Sequence, residues 1–129
     1  MPDVAVDRVF VAGDTGVLRE IRAFVDAHAG SLPVASIHDL KLAVTEAAAN
    51  ALRHSGTDEV RVSILTEHSC VRVVVQDDGV YQTTLHAVDG DLEGHRGFAI
   101  IAAMVDEFSV RKGTGSGSGT VVRMLKCPS

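Results

Sequence analysis

Two residues four apart, Glu46 and Asn50, are the first in this chain whose types and spacing could do chemistry. On a helix they stack along one edge, with Arg53 and His54 one turn further on. A carboxylate and a carboxamide at the margin of a core are costly unless something occupies them. Taken alone, the stretch from Lys41 to Ser55 reads as an ordinary amphipathic helix with a polar flank. The functional reading is that its polar edge faces a ligand. Asp77 is the second such residue. It closes a row formed by Val71, Val73 and Val75, and the two-residue period of a strand puts its carboxylate on their face. A carboxylate there needs a hydrogen-bond donor. The plain reading is a turn-forming Asp-Asp-Gly; the functional one is an acceptor pointed into a pocket.

The elements that must position these groups follow from periodicity. Asp7 to Val11 reads as a first strand. Asp14 is a plausible N-cap for a helix from about Gly16 to Ala29, with Val17, Leu18, Ile21, Phe24 and Val25 at helical spacing and Gly30 as its C′ residue. A second helix takes Ser36 as N-cap with Asp39 three residues on, and ends near Ser55-Gly56. Its apolar stripe is Leu40, Val44, Ala47, Ala48, Ala51 and Leu52. Two alternating runs, Glu59 to Thr66 and Cys70 to Asp77, read as a β-hairpin turning at Glu67-His68-Ser69. Val80 to Glu93 has no clean period, and a loop of that length suggests a lid. Arg96 to Val105 is apolar almost all round, so the expectation is a buried helix, with its N-terminus beside Gly94 and Gly97 open to a phosphate. Phe108 to Lys112 and Thr120 to Lys126 read as strands joined by the flexible run Gly113 to Gly119.

Bulk properties bound the function. A chain of 129 residues with 46% hydrophobic and 22% charged residues is one globular domain. The net charge of −5 argues against a nucleic-acid backbone as partner and permits a nucleotide, which backbone N–H groups can hold. The longest apolar run, Phe98 to Val105, is too short to span a membrane. MPDVAVDRVF carries charges where a signal peptide would be apolar. Cys70 and Cys127 have no CxxC or Cys/His spacing and suggest no disulfide framework, so the expected place is a reducing cytoplasm. No Gly-Lys-Ser/Thr occurs, which excludes a Walker A loop, and the six histidines lack metal-ligand spacing.

Taken together the pieces resemble the Bergerat-fold ATPases that group gyrase, Hsp90, histidine kinases and MutL. Within that superfamily they look most like the RsbW/SpoIIAB-type anti-sigma-factor serine/threonine kinases. Four motifs carry the resemblance: Glu46 to Asn50 continuing to His54; Asp77-Asp78-Gly79; Gly94 to Phe98; and Gly117-Ser118-Gly119-Thr120 entering the last strand. Their order and placement, more than any single motif, make the signal.

The resemblance implies an α+β two-layer sandwich, a mixed and mainly antiparallel sheet against about three helices, with a lid near residues 80–95. It implies ATP and Mg²⁺ as cofactors, with Asn50 ligating the metal and Glu46 as catalytic base. Asp77 would accept from the adenine amino group. Arg53, His54, Gly79, Gly94, Arg96, Gly97, Phe98 and Thr120 would line the nucleotide. The implied reaction is γ-phosphoryl transfer to a serine of a STAS-domain antagonist, and the other implied partner is a sigma factor. Homodimers are common in the family. The chain departs from the family pattern at Tyr81 and His95, which stand where glycines are usual. Those two positions leave open a regulatory module that sequesters a partner without using ATP. A third reading is an ATPase that hydrolyses and does not transfer.

Overall fold

A computed structural model describes residues 5–11, 16–54, 59–77, 92–112 and 119–128, with only the backbone described at His54, at residues 92–97 and at Lys112. In chain order the elements are β1 (Ala5–Val11), α1 (Val17–His28), α2 (Val34–His54), β2 (Glu59–Glu67), β3 (Cys70–Asp77), α3 (Leu92–Met104), β4 (Glu107–Lys112) and β5 (Thr120–Lys126). The five strands form one sheet in the order β1-β2-β3-β5-β4. All four described pairings are antiparallel, in a sheet expected to be mixed and mainly antiparallel. The two-layer α+β sandwich is the expected one.

Alternation sets the two faces of the sheet. Val60, Val62 and Ile64 on β2, Val71, Val73 and Val75 on β3, and Val122 and Met124 on β5 are buried under the helices. Their neighbours along each strand point to the other face, which no described element covers. The hairpin from β2 to β3 turns through His68 and Ser69, with His68 at φ +57°.

The α1 residues Val17, Ile21, Phe24 and Val25 recur at helical spacing and are buried. Phe24 meets Phe10 of β1 edge to face at 5.7 Å, which fixes the helix against the sheet edge. Asp14, expected as N-cap, lies outside the described residues. The N-cap position is Gly16, with no side-chain cap. Gly30 follows the helix at φ +66°, the left-handed conformation of a C′ glycine. A Cβ there would come within 3.2 Å of Thr66 Cγ2.

The long helix α2 starts two residues before the expected cap. Ile37 N–H donates to the Pro33 carbonyl at 2.9 Å, so the turn opens at the proline, which has a locked φ and no N–H to lose. Ser36 is therefore inside the helix and buried. Asp39, expected in a capping box, accepts instead from Lys126 Nζ at 3.4 Å. Leu40, Ala43, Val44, Ala47, Ala48 and Ala51 are all buried, and Leu52 is partly so.

Two expectations are corrected. The first concerns α3, which is not buried all round: Ile101 is its fully buried residue, while Ala99, Ile100, Ala102 and Ala103 are exposed. It lies beside α2 and over β4, the edge strand, and its exposed side chains mark a side that no described element covers. The helix also begins at Leu92, taking the last positions assigned to the lid. The second concerns the cysteines. Cys70 and Cys127 are disulfide-bonded, with Cα atoms 4.2 Å apart. They continue the β3–β5 ladder one position beyond the Val71–Lys126 pair, where antiparallel neighbours come closest. That closeness depends on a pairing across 57 residues, which local spacing cannot reveal.

These packing differences predict contrasting substitutions on α3. Ile101→Ala should cost about 2–4 kcal/mol of unfolding free energy in a urea titration. Ile100→Ala, one residue away and 38% exposed, should change it by less than about 1 kcal/mol.

Candidate active site

Among the described residues four polar or charged side chains are buried: Ser36, Asn50 (3% exposed), Asp77 (4%) and Thr120 (3%). The last three are sites expected from sequence. Asp77 and Thr120 are direct partners across β3 and β5, and Asp77 also stands opposite Val60 of β2. Thr120 is thereby brought from 43 positions away onto the carboxylate's own row.

Asn50 comes from helix α2, which packs on the middle strands of the sheet. Its Asp39 is tied to Lys126, the last residue of β5. From Asp39 to Asn50 the helix rises about 16 Å. From Lys126 back to Thr120, β5 spans about 20 Å. Asn50 stands in the closing turns of α2, about three helical turns beyond that tie.

Those turns carry a polar cluster. Arg53 Nη2 donates to Asn50 Oδ1 at 3.2 Å and lies 3.7 Å from Glu46 Oε2. The Arg53 side chain is 51% exposed, so its attraction to Glu46 is worth no more than about 1 kcal/mol and the guanidinium is free to swing away. Asn50 Nδ2 is buried and has no hydrogen-bond partner among the described residues. A buried amide left unpaired normally costs about 1–3 kcal/mol, so a partner here would be stabilising.

A divalent cation with bound phosphates fits this donor set. Asn50 Oδ1 already faces a positive charge, and a carboxylate stands beside it; Mg²⁺ takes oxygen ligands and usually only one or two from protein, the rest from phosphates and water. No cluster of three or more His, Cys, Asp or Glu able to hold a metal occurs among the described residues.

The other expected residues fall as follows. His54 closes α2. Gly79 lies outside the described residues, as do Asp78, Tyr81 and the lid positions up to 91, and Gly117 and Ser118. Gly94, His95, Arg96 and Gly97 lie within the first two turns of α3 and not ahead of it. Phe98 is half-buried and packs on Phe108 of β4 at 5.9 Å between ring centroids. Sequence reasoning missed Lys126, whose Nζ also donates to the Met104 carbonyl at 2.8 Å and so ties down the end of α3. No local signal could have found it, because its partners lie 87 and 22 residues away.

Comparison with known proteins places this geometry. The serine-protein kinase RsbW of Bacillus pumilus is 33% identical over an alignment covering 70% of this chain and 64% of that protein. RsbW of Bacillus velezensis is 35% identical with the same coverage. The chain thus spans 64% of the length of each of these relatives. Among solved structures, the histidine kinase domain of the Erythrobacter litoralis EL346 blue-light activated histidine kinase superposes with a TM-score of 0.55. It is 24% identical, over 90% of this chain and 60% of that one, a likeness of fold. The profile of the histidine kinase-like ATPase domain matches residues 11–126, and the chain belongs to that family.

Proposed function

We propose that this chain is an ATP-dependent serine/threonine protein kinase that acts as an anti-sigma factor in the cytoplasm. It would hold a sigma factor and phosphorylate a serine of a STAS-domain antagonist. The observation that carries the reading is the burial of Asn50, Asp77 and Thr120, with an unpartnered atom on Asn50, at the positions where the resemblance assigns a nucleotide site. The printed name of the relatives, serine-protein kinase, supports the kinase role, and the anti-sigma role follows from the resemblance to the RsbW/SpoIIAB-type family.

ATP bound with Mg²⁺ would supply the γ-phosphoryl group. Asn50 Oδ1 would hold the metal once Arg53 moves off it, and Arg53 would then neutralise phosphate charge within reach of its present position. Asp77, on the floor between β2 and β5, would accept from the adenine amino group, with Thr120 beside it. Glu46 stands one turn before Asn50 and is half-buried at the helix edge. Its carboxylate would take the proton from the incoming serine hydroxyl, a step worth about 10²–10⁴-fold in rate when the base is well placed. Gly79, Gly94, Arg96 and Gly97 would approach the phosphates, and His54 and Phe98 would border the pocket. Positioning and charge neutralisation, more than covalent chemistry, would drive the transfer.

Two measurements test this. Calorimetry should give Mg-ATP binding that weakens at least tenfold in Asn50→Ala, and that weakens in Asp77→Asn whether or not Mg²⁺ is present. Absence of any nucleotide binding in the parent chain would replace the kinase with a module that only sequesters its partner. With γ-labelled ATP, Mg²⁺ and a cognate STAS protein, label should pass to the STAS protein, and Glu46→Ala should slow this by about 10²-fold or more while ATP affinity stays near normal. A stable complex that passes no label would overturn the transfer step. Phosphate release without a protein acceptor would point to hydrolysis.

A further inference from the structure

The disulfide sits at the end of the β3–β5 ladder opposite Asp77 and Thr120, and the proposed kinase makes no use of it. By strand alternation Cys70 and Cys127 both lie on the sheet face that no described element covers, and both are half-exposed. Cys127 is one residue past the last rung of β5, so the bond caps the ladder and forms no rung of it. Its surroundings are not inert. The Cys127 N–H donates to Asp106 Oδ2 at 2.7 Å, and Asp106 N–H donates to the Leu125 carbonyl at 2.8 Å. Lys126, the neighbouring residue, holds the Met104 carbonyl and Asp39. One short segment, Leu125 to Cys127, therefore ties together the end of α3, the lead into β4 and the start of α2.

We infer that Cys70 and Cys127 form a reversible thiol–disulfide modification site whose oxidation locks the C-terminal end of α3 to the sheet. The co-reactant is a low-molecular-weight disulfide such as glutathione disulfide. One protein thiolate attacks one sulfur of the reagent, forming a mixed disulfide and expelling one small thiol. The second protein thiolate displaces the other small thiolate, which takes up a proton. The protein pair loses two electrons and two protons, and the reagent becomes two thiols. Exposure of both cysteines permits the exchange, and their close approach across the β3–β5 ladder favours the intramolecular second step. Reduction leaves the Cys127 N–H bond to Asp106 as the described hold on that residue, and the anchor of α3 loosens with it.

The inference stands on thiol chemistry and local opening alone, so it can fail or hold whatever becomes of the nucleotide site. The full chain is equilibrated in glutathione mixtures from fully reducing to fully oxidising and the free thiols are trapped by alkylation and counted by mass. The pair should titrate reversibly within that range. Hydrogen exchange of the oxidised and reduced chains should then show amides of Ile101 to Cys127 at the α3–β4 junction and the end of β5 exchanging at least tenfold faster after reduction. The melting temperature should fall by about 10 °C, as a bond closing a loop of this length implies. Cys127→Ser should match the reduced chain and lose all response to the buffer. A pair that stays reduced or stays oxidised in every mixture would overturn the inference, and so would identical exchange in the two forms.

Discussion

The antiparallel pairing of β3 with β5 is the interaction on which the rest of the molecule depends. It joins two strands separated by the whole of α3, β4 and the segments around them. At one end it sets Asp77 against Thr120; at the other it brings Cys70 to Cys127. Between them Val73 and Val75 lie beside Met124 and Val122 and form the middle of the core floor. A shift of this pairing by one residue would turn every side chain of β5 to the opposite face. Thr120 would leave the buried row, and Lys126 would lose both of its helix contacts. The apolar face fixes the register, and the register places the polar groups.

Helix α2 answers that floor with small side chains. Ala43, Ala47, Ala48 and Ala51 are all buried and surround the line on which Asn50 sits. A helix faced with alanine lies close to what it packs on, and closeness is what submerges the Asn50 carboxamide. With leucines in those places the axis would stand further off and the carboxamide would meet solvent, with no need of a partner. Glu46 and Arg53, on the rim of the same edge, remain accessible enough to rearrange. The helix thus combines a rigid buried amide with mobile charges one turn to either side. The proposed nucleotide site would use both.

Local pattern made much of this legible. The valine rows of β2 and β3 gave the hairpin and its inner face, and Asp77 was readable as a buried acceptor because a period of two leaves it no other side. The stripe of α2 gave its buried face and put Glu46 and Asn50 on the edge. What stayed hidden was set by partners distant in sequence. The start of α2 was misread because Ser36 and Asp39 look like a cap, whereas the Pro33 carbonyl opens the helix and Asp39 is held by Lys126. Hydrophobicity on all sides of α3 suggested full burial, but a helix over an edge strand has neighbours on only part of its circumference. The cysteines showed no motif because their proximity is a property of sheet order.

The same sheet order gives α3 an asymmetric hold. Its described side-chain anchors are Phe98 on Phe108, Ile101 in the core, and the Met104 carbonyl on Lys126, all in the second half of the helix. Each successive anchor lies closer to the C-terminal end, and the last one is tied through Lys126 to the segment that the disulfide fixes. The glycines at Gly94 and Gly97 fall in the first half, where each lowers the helical preference by about 1 kcal/mol relative to alanine. A helix with weak intrinsic preference at one end and three tertiary anchors at the other has its stability graded along its length. Any ligand acting at the first turns works against the softer end, and any change at the Cys70–Cys127 bond works on the harder one.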